Sequence, residues 1–293
     1  MTTTELVDLK KETIYGHTDL PWEFTEHCVA KMNTSHFIMT GGRKYPMRTL
    51  IAQSHGNSEL GLTLTRGPNL PYPRYQHTCT HIRHKNGSNY VIVAGGHFAT
   101  GDEEHADDST DILDVDKNIW FRGIIYIYIH SCDKQFWPTQ QNTSIFLGPQ
   151  LPNPDADPKF NGCYGGSMIT LPSGTEAVLT GCENFAASQY DGFSYGGSKN
   201  IFKLNWHGEH LEWVTLPQTL PNSRTEAVVM LIDDSMTNCT TKCKYSTILV
   251  LIIFGKNIGS EHHSYGKWMV PCTFEWLNIY KKWMALFTDA LAH

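Results

Sequence analysis

No stretch of this 293-residue chain approaches the roughly 20 consecutive apolar residues that a membrane-spanning helix needs. The longest apolar runs, IIYIYI at 124–129 and ILVLIIF at 248–254, have the length and β-branched composition of strands. The first residues, MTTTELVDLKK, lack the apolar centre of a secretory signal peptide. Sustained helical periodicity is also missing. These absences argue against a transmembrane helix and a helical bundle, and they favour a chain of strands.

Charge is scarce as well. Asp, Glu, Lys and Arg make up 18% of the residues, and the formal net charge is −6. A chain with this balance has no general electrostatic attraction for nucleic acid or for an anionic membrane. What is abundant is apolar residues at 40%, with 24 glycines and 14 prolines, which favours strands joined by turns. We therefore predict an all-β protein with no nucleic-acid or membrane partner.

The sequence contains no G-x-S-x-G, P-loop, H-E-x-x-H or Rossmann fingerprint. Fifteen histidines are present, but His77 and His81, four residues apart in a strand, would lie about 13 Å apart. That separation is too large for the two to bind one metal ion. The sequence predicts no metal and no cofactor, and it leaves the catalytic residues, if there are any, unknown.

An ordered pattern returns along the chain instead. A Leu-Pro turn, a His and Cys pair, an apolar run and a glycine doublet occur in that order twice, from Leu20-Pro21 to Gly41-Gly42 and from Leu70-Pro71 to Gly95-Gly96. Weaker copies begin at Leu151-Pro152 and at Leu220-Pro221. Each copy holds about four strand-like runs separated by turn residues. The sequence thus predicts four structural repeats.

Each ordered feature has a physical reason. Glycine permits positive φ and close backbone approach, so a doublet lets the chain turn sharply after the second strand. Proline cannot donate to a strand ladder, so Leu-Pro ends one sheet and begins the next. An aromatic residue in the fourth run, Trp213 or Trp283, offers a large apolar plate to a neighbouring sheet.

These features resemble the kelch repeat of β-propellers, in the superfamily of the galactose oxidase central domain. The residues that carry the resemblance are Gly41-Gly42, Gly95-Gly96, the pair Asp114 and Trp120, the pair Tyr280 and Trp283, and Pro73-Arg74. The resemblance implies a ring of four-stranded antiparallel blades of about 50 residues each. The third and fourth doublets depart from it, reading Gly181-Cys182 and Phe254-Gly255.

The repeats divide the chain into an N-terminal segment, 1–19, with a closing strand, and a propeller, 20–293. The units span about 20–69, 70–150, 151–219 and 220–293. The segment KETIYGHTDLP looks like the end of a further unit. Three explanations stay open: the N-terminal strand completes a blade with C-terminal strands, a divergent blade lies within 121–160, or the chain is part of a longer propeller. Four units are visible, and five or six blades or an incomplete ring remain open.

Equivalent loops of stacked units meet on one face, where binding surfaces usually form. The residue after each doublet is polar or charged: Arg43, His97, Glu183 and Lys256. With Arg74, these residues are the predicted contacts of a binding rim. The alternative is that they are ordinary solvated loop residues.

Two other groups of residues have competing interpretations. The segment 96–110 adds five acidic residues, which could bind Ca²⁺ or a basic partner but fit a solvated loop better. Cys28, Cys79 and Cys163 recur near the first strand of their units, on separate blades. We expect them to be small buried thiols rather than zinc ligands. Cys239 and Cys243 could form a local disulfide or a metal pair.

The compartment is left open between the cytoplasm and secretion. Eight cysteines and the N-x-[ST] sequons at Asn33, Asn86, Asn142 and Asn238 favour secretion. The polar N-terminus favours the cytoplasm or a chain that has lost its signal peptide.

Two functions follow from the resemblance. Most kelch-type propellers bind a protein partner through rim loops, and this is the favoured prediction, without enzymatic activity. The alternative is a secreted propeller enzyme, an oxidoreductase or a hydrolase, that acts on a small molecule at the channel mouth. The superfamily includes a copper oxidase, but its Cys-linked Tyr arrangement is not reproduced here in a recognisable form.

Overall fold

The computed structural model describes residues 3–8, 13–55, 62–100, 103–122, 148–152, 162–187, 193–229, 252–256 and 266–267. Contacts divide the chain into a unit of residues 1–229 and 253–266 and a second unit of residues 230–252 and 267–293. Only Ile252 and Lys267 of the second unit are among the described residues. The other described residues belong to the first unit.

Every regular element in the described part of the chain is a strand. The strands of the first half are β1 (Thr3–Asp8), β2 (Thr13–Asp19), β3 (Cys28–Lys31), β4 (His36–Thr40), β5 (Thr49–Ser54), β6 (Leu62–Arg66), β7 (Thr78–Arg83), β8 (Asn89–Ala94), β9 (His97–Thr100), β10 (Glu103–Ala106), β11 (Thr110–Asp114) and β12 (Ile119–Arg122). Those of the second half are β13 (Ser167–Thr170), β14 (Ala177–Thr180), β15 (Glu183–Ala187), β16 (Phe193–His207), β17 (His210–Val228), β18 (Ile252–Lys256) and β19 (Gly266–Lys267). Among the described residues no helix is long and apolar enough to cross a bilayer.

Three antiparallel four-stranded sheets account for most of these strands. Blade 1 has the order β3-β4-β5-β6, and blade 2 has the order β7-β8-β11-β12. Blade 3 contains β13-β14-β16-β17 in the same arrangement. In each blade the strands pair in chain order, apart from the short hairpin β9–β10 in blade 2 and β15 in blade 3. The predicted all-β fold of four-stranded antiparallel blades is therefore confirmed.

The first strands of the three blades lie side by side. β7 packs against β3 on one side and against β13 on the other. A disulfide joins Cys28 of β3 to Cys79 of β7. On the other side, the hydroxyls of Thr80 and Thr170 lie 2.7 Å apart. Contact between the innermost strands of successive blades is the defining arrangement of a β-propeller.

The sheets pack face to face, and β8 shows why its sequence is apolar throughout. Val91 and Val93 face blade 1, in a cluster with Ile38. Ile92 on the opposite face belongs to a cluster with Trp213 of blade 3. Because both faces of this strand are covered, NYVIVA reads as a continuous apolar run rather than an alternating one.

Trp213 confirms the prediction that the fourth-strand aromatic packs against a neighbouring sheet. Its side chain is 6% exposed. Its indole N–H donates a hydrogen bond of 3.0 Å to the hydroxyl of Thr110 in blade 2. The indole therefore buries its apolar ring and also satisfies its one polar group with a hydrogen bond.

The glycine doublets fasten each blade to the next. Gly42 donates its N–H to the carbonyl of Arg74 in blade 2, and Gly96 donates in the same way to Cys163 in blade 3. The preceding glycine, Gly41, has a φ of 61°, and a Cβ there would lie 2.5 Å from the Arg74 carbonyl oxygen. Only glycine accommodates both the left-handed backbone and this approach.

Three features depart from the simplest repeat. β1 and β2 pair with each other. The hairpin β9–β10 fills the acidic insertion. β17 continues past Leu220-Pro221, where the sequence predicts a new unit, and pairs with β18. Most of the segment proposed for a divergent blade, 121–160, lies outside the described residues, as do Cys239, Cys243 and nearly all of the fourth unit.

Candidate functional site

The two ends of the blades differ in what they present. We call the end that carries the glycine doublets the doublet end, and the opposite end, with the β3–β4 and β7–β8 turns, the hairpin end. The backbone at the doublet end repeats between blades. Arg43 donates its N–H to the carbonyl of Thr25, and His97 donates its N–H to the carbonyl of Tyr75. Arg43 and His97 therefore occupy equivalent positions, as their place after the doublets predicts.

Arg43 is the exposed member of this pair. Its side chain is 62% exposed, and its Nη1 lies 3.4 Å from Oε1 of Glu26. The guanidinium carbon stands 5.6 Å from the centre of the Tyr75 ring in the next blade. Arg43 is thus accessible to a partner, and an exposed ion pair of this kind is easily exchanged for another.

His97 is buried instead, with 4% of its surface exposed. Its ring stacks on Tyr75 at 5.3 Å between centroids and lies 3.9 Å from the ring of Tyr164 in blade 3. Arg43 and His97 therefore both contact the ring of Tyr75, but only Arg43 reaches the surface. The direct contact role predicted for His97 is wrong because its imidazole packs between two phenol rings.

Arg74 is fully buried, so its predicted role as a rim contact is also wrong. Its Nη2 lies 2.6 Å from Oδ2 of Asp111 and 3.1 Å from Oδ2 of Asp107. The same nitrogen donates to the hydroxyl of Ser109 at 3.0 Å, and Nη1 donates to the carbonyl of Gly95 at 2.8 Å. Such a charge is stable inside a protein only when it is paired in this way.

The acidic insertion is only partly the solvated loop that its composition predicts. Asp107 is 4% exposed because it completes the Arg74 cluster. Asp108 is half-buried, and burial raises the pKa of its carboxyl, opposed by a hydrogen bond from Gln150. The last part of the insertion therefore belongs to the core of blade 2.

Two predicted contacts have only their backbones described. Glu183 begins β15, and Lys256 ends β18. Both follow their doublets in the sequence, as Arg43 and His97 do. Their role in binding stays a prediction.

A cluster of residues that the sequence analysis missed surrounds Arg43. We call it the rim patch, and its members are Trp22, Arg43, Tyr45, Met47 and Arg48. The guanidinium carbon of Arg48 lies 4.7 Å from the ring centre of Trp22 and 4.2 Å from that of Tyr45. Met47 is 38% exposed. The available signal was composition, because aromatic residues, Met and Arg alternate within WEF and RKYPMR.

The backbone holds the rim patch in place. The N–H of Arg48 donates to the carbonyl of Tyr45, and the carbonyls of Pro46 and Met47 accept from Arg74 and Leu70 of the next repeat. Beside the patch, Lys44 and Glu23 form an ion pair of 2.9 Å. That pairing lowers the pKa of the Glu23 carboxyl and raises the pKa of the Lys44 ammonium. The loop is therefore ordered before any partner binds.

His77 lies beneath this surface. It is 5% exposed, and its Nε2 hydrogen-bonds with the Thr40 hydroxyl at 2.8 Å. Burial, reinforced by the nearby Arg74 and His27 charges, holds the pKa of His77 well below its ordinary value. The imidazole is neutral near pH 7 and acts as a structural link between blades 1 and 2.

The cysteines correct another expectation. Cys28 and Cys79 were predicted to be separate buried thiols, yet their Cα atoms lie 5.8 Å apart and they form a disulfide. Cys163 pairs with Cys182. Adjacent innermost strands come closer than the sequence argument assumed, and the third doublet departs from Gly-Gly because its second residue carries a disulfide sulfur. All four cysteines in the described part of the chain are paired.

No family model matches the chain, and no curated protein matches it. One similar solved structure is that of YjhT, at 12% identity and a TM-score of 0.49, covering 86% of this chain and 67% of that one. Another is a fungal alcohol oxidase of the AA5 family in complex with copper, at 13% identity and a TM-score of 0.42. That match covers 92% of this chain and 59% of the oxidase, so the chain spans less than two thirds of the oxidase's length.

Proposed function

We propose that this chain is a kelch-type propeller that binds a protein partner through the rim patch. The kelch assignment is supported by the doublets, whose hydrogen bonds repeat from blade to blade. It is also supported by Trp120, whose indole N–H donates to the carbonyl of Pro68 at 3.0 Å. These features concern the repeat, and the binding function rests on the composition of the patch.

The observation that carries the binding function is the position of the Arg48 guanidinium over the rings of both Trp22 and Tyr45, beside exposed Met47. Aromatic residues, Met and Arg are the types enriched in the buried centre of protein interfaces. Trp, Tyr and Arg also dominate the few residues that contribute most to affinity. The stack restrains the long Arg48 side chain in advance, so less conformational entropy is lost on binding.

The charges favour a protein partner of mixed charge. Arg43 is paired with Glu26 and Lys44 is paired with Glu23, so the rim offers both signs. A partner that presents two carboxylates and two cationic groups at this spacing would replace both ion pairs without leaving a charge unpaired. The apolar part of the contact then falls on Trp22, Tyr45 and Met47.

The test is site-specific photo-crosslinking. A photoreactive side chain replaces Met47 in one variant and Ile119 in the other, and the full chain is incubated with extract of the cells that make it. Ile119 is the matched control because it is an exposed apolar residue, 52% accessible, at the hairpin end. We expect an adduct from position 47 that is absent from position 119. Equal labelling from both positions, or none from either, contradicts the proposal.

The captured partner then permits an affinity measurement. Trp22→Ala and Arg48→Ala should each weaken binding by about 2 kcal/mol, or roughly 30-fold in Kd, as expected for residues at the centre of an interface. Lys85→Ala, at the hairpin end, should leave Kd unchanged. A rim patch whose substitutions leave Kd unchanged is not the binding surface.

The secreted enzyme remains the second candidate because both disulfides favour an oxidising compartment. Its chemistry would need accessible reactive groups, whereas Tyr75, His97 and Tyr164 are each less than 10% exposed. Within the described ranges no group of three or more His, Cys, Asp and Glu side chains is arranged to hold a metal ion. Stoichiometric copper or iron, with matching visible absorbance, in the purified natural protein would favour the enzyme.

A further inference from the structure

Two of the four sequons lie in described turns, and both turns are at the hairpin end. Asn33 is in the β3–β4 turn of blade 1, and Asn86 is in the β7–β8 turn of blade 2. Both asparagines are exposed. An exposed turn gives a modifying enzyme access to the side chain, whereas the central strands of the blades do not.

One hydrogen bond is common to both turns, from the backbone N–H of the third sequon residue to the asparagine Oδ1. Oδ1 of Asn33 accepts hydrogen bonds of 2.9 Å from the N–H groups of Ser35 and His36. Oδ1 of Asn86 accepts a hydrogen bond of 2.9 Å from the N–H of Ser88. In each case the third residue of the sequon binds the carboxamide oxygen rather than Nδ2, which is the atom that carries an N-linked glycan.

The disulfides supply an independent observation about compartment. Cys28–Cys79 joins the two innermost strands of the blades that carry these turns, and Cys163–Cys182 closes blade 3. Disulfides form and persist where proteins are secreted. The transfer of N-linked glycans takes place on the same route, so an exposed sequon on a disulfide-bonded chain meets the transferase.

We propose that Asn33 and Asn86 are N-glycosylation sites, which makes the hairpin end the glycosylated end of the propeller. In the transfer, Nδ2 forms a bond to the anomeric carbon of an oligosaccharide and loses one proton to the transferase. The bond between that carbon and a lipid-linked diphosphate breaks, and the diphosphate leaves with the bonding electrons. No oxidation or reduction is involved.

The position of the glycans has a consequence for binding. Both turns lie at the end opposite the doublets, so the bulky sugars stand away from the rim patch. Glycans would cover the exposed turns of blades 1 and 2 and increase solubility there. Glycosylation does not depend on the proposed rim function, so the two can fail separately.

The experiment uses the full chain isolated from the cells that make it and, in parallel, the full chain directed into the endoplasmic reticulum of cultured cells. Enzymatic removal of N-glycans in heavy-oxygen water converts each glycosylated Asn to a mass-tagged Asp. We expect tags at Asn33 and Asn86. Asn118 is the internal control, because it lies in an exposed turn at the same end but is not part of a sequon.

Substitutions of the two sequon serines make the test specific. Ser35→Ala and Ser88→Ala remove the sequon hydroxyl, which at Ser35 also bonds Oδ1 of Asn33, but keep the backbone N–H that binds Oδ1 in both turns, so each should delete one glycan. Ser35→Thr and Ser88→Thr should retain both. A tag that persists in the Ala variants, a tag at Asn118, or untagged Asn33 and Asn86 in either preparation overturns the proposal, whether or not the rim patch binds a partner.

Discussion

Blades 2 and 3 hold the same backbone position in place with different side-chain chemistry. In each blade the carbonyl of one residue accepts a hydrogen bond from the glycine doublet of the preceding blade. The side chain of that same residue also bonds to its own blade. In blade 2 that residue is Arg74, which binds Gly95 and two buried aspartates. In blade 3 it is Cys163, which forms a disulfide with Cys182. The backbone frame is thus common to the blades, and the side-chain bond that secures it is interchangeable.

Blade 1 shows a third solution. Phe24 stands where Arg74 and Cys163 stand in the later blades, and it is 2% exposed. It packs with Leu20 and Leu50. The comparison teaches that a hydrophobic, an ionic or a covalent contact can secure the same position. The three should differ in how they fail, because they respond differently to mutation, reduction and pH.

Removing the ionic contact of Arg74 in blade 2 should have the largest effect on the free energy of unfolding. Arg74→Leu leaves Asp107 and Asp111 buried without their cation, so we expect a loss of about 3–5 kcal/mol in the free energy of unfolding. Urea titration followed by tryptophan fluorescence measures it. Arg74→Phe combined with Asp107→Leu and Asp111→Leu imitates blade 1 and should restore most of the loss. A loss below about 1 kcal/mol for Arg74→Leu would show that the Arg74 cluster does not stabilise the blade.

Removing the Cys163–Cys182 disulfide of blade 3 should have a slightly smaller effect on the free energy of unfolding. Cys163→Ala with Cys182→Gly recreates a glycine doublet and should cost about 3 kcal/mol, since the disulfide closes a short loop. The sequence separation is 19 residues there and 51 for Cys28–Cys79. Cys28→Ala with Cys79→Ala should therefore cost about 4 kcal/mol. Urea titration of the two variants measures both losses, and the reverse order of losses would contradict the loop-length argument.

The contact between blades 1 and 2 should be the acid-sensitive one. The folded-state pKa of His77 is lowered by burial, while the unfolded chain takes up a proton below about pH 6.5. His77 therefore contributes its full stability above that pH. The contribution is lost as the pH falls toward its lower folded-state pKa, by up to about 1.4 kcal/mol per pH unit. His77→Gln should flatten this part of the stability curve, and an unchanged slope would rule His77 out as the cause.

Of the two equivalent positions after the doublets, the exposed one, Arg43, should have the smallest effect on stability. Arg43→Ala removes an exposed ion pair and should change the free energy of unfolding by less than about 0.5 kcal/mol. His97→Ala, at the matching buried position, should cost about 2 kcal/mol through lost packing. Thermal unfolding of the two variants side by side separates them, and equal losses would mean that Arg43 is a packing residue as well.

The repeat was readable from the sequence because it rests on local chemistry. Glycine at Gly41 and Gly95 predicted positive φ, and NYVIVA predicted a strand. Arg74 and His97 were misplaced for a different reason. A charged residue in a loop is usually solvated, and their burial depends on Asp107, Asp111, Tyr75 and Tyr164, which the fold brings from distant parts of the sequence.

The cysteines and the rim patch illustrate the same limit. Pairing of Cys28 with Cys79 requires that two innermost strands, 51 residues apart in sequence, lie next to each other. The stack of Arg48 requires Trp22 of the preceding segment to meet the loop after the first doublet. Neither distance can be read from spacing along the chain.

By itself the sequence determined the strands, the doublets and the order in which four-stranded blades follow one another, because backbone freedom and apolar periodicity act over a few residues. Tertiary structure alone decided which polar side chains are buried, which sulfurs are joined and which loop residues reach solvent. Those outcomes depend on desolvation and on contacts between blades, and such contacts exist only once the sheets have packed.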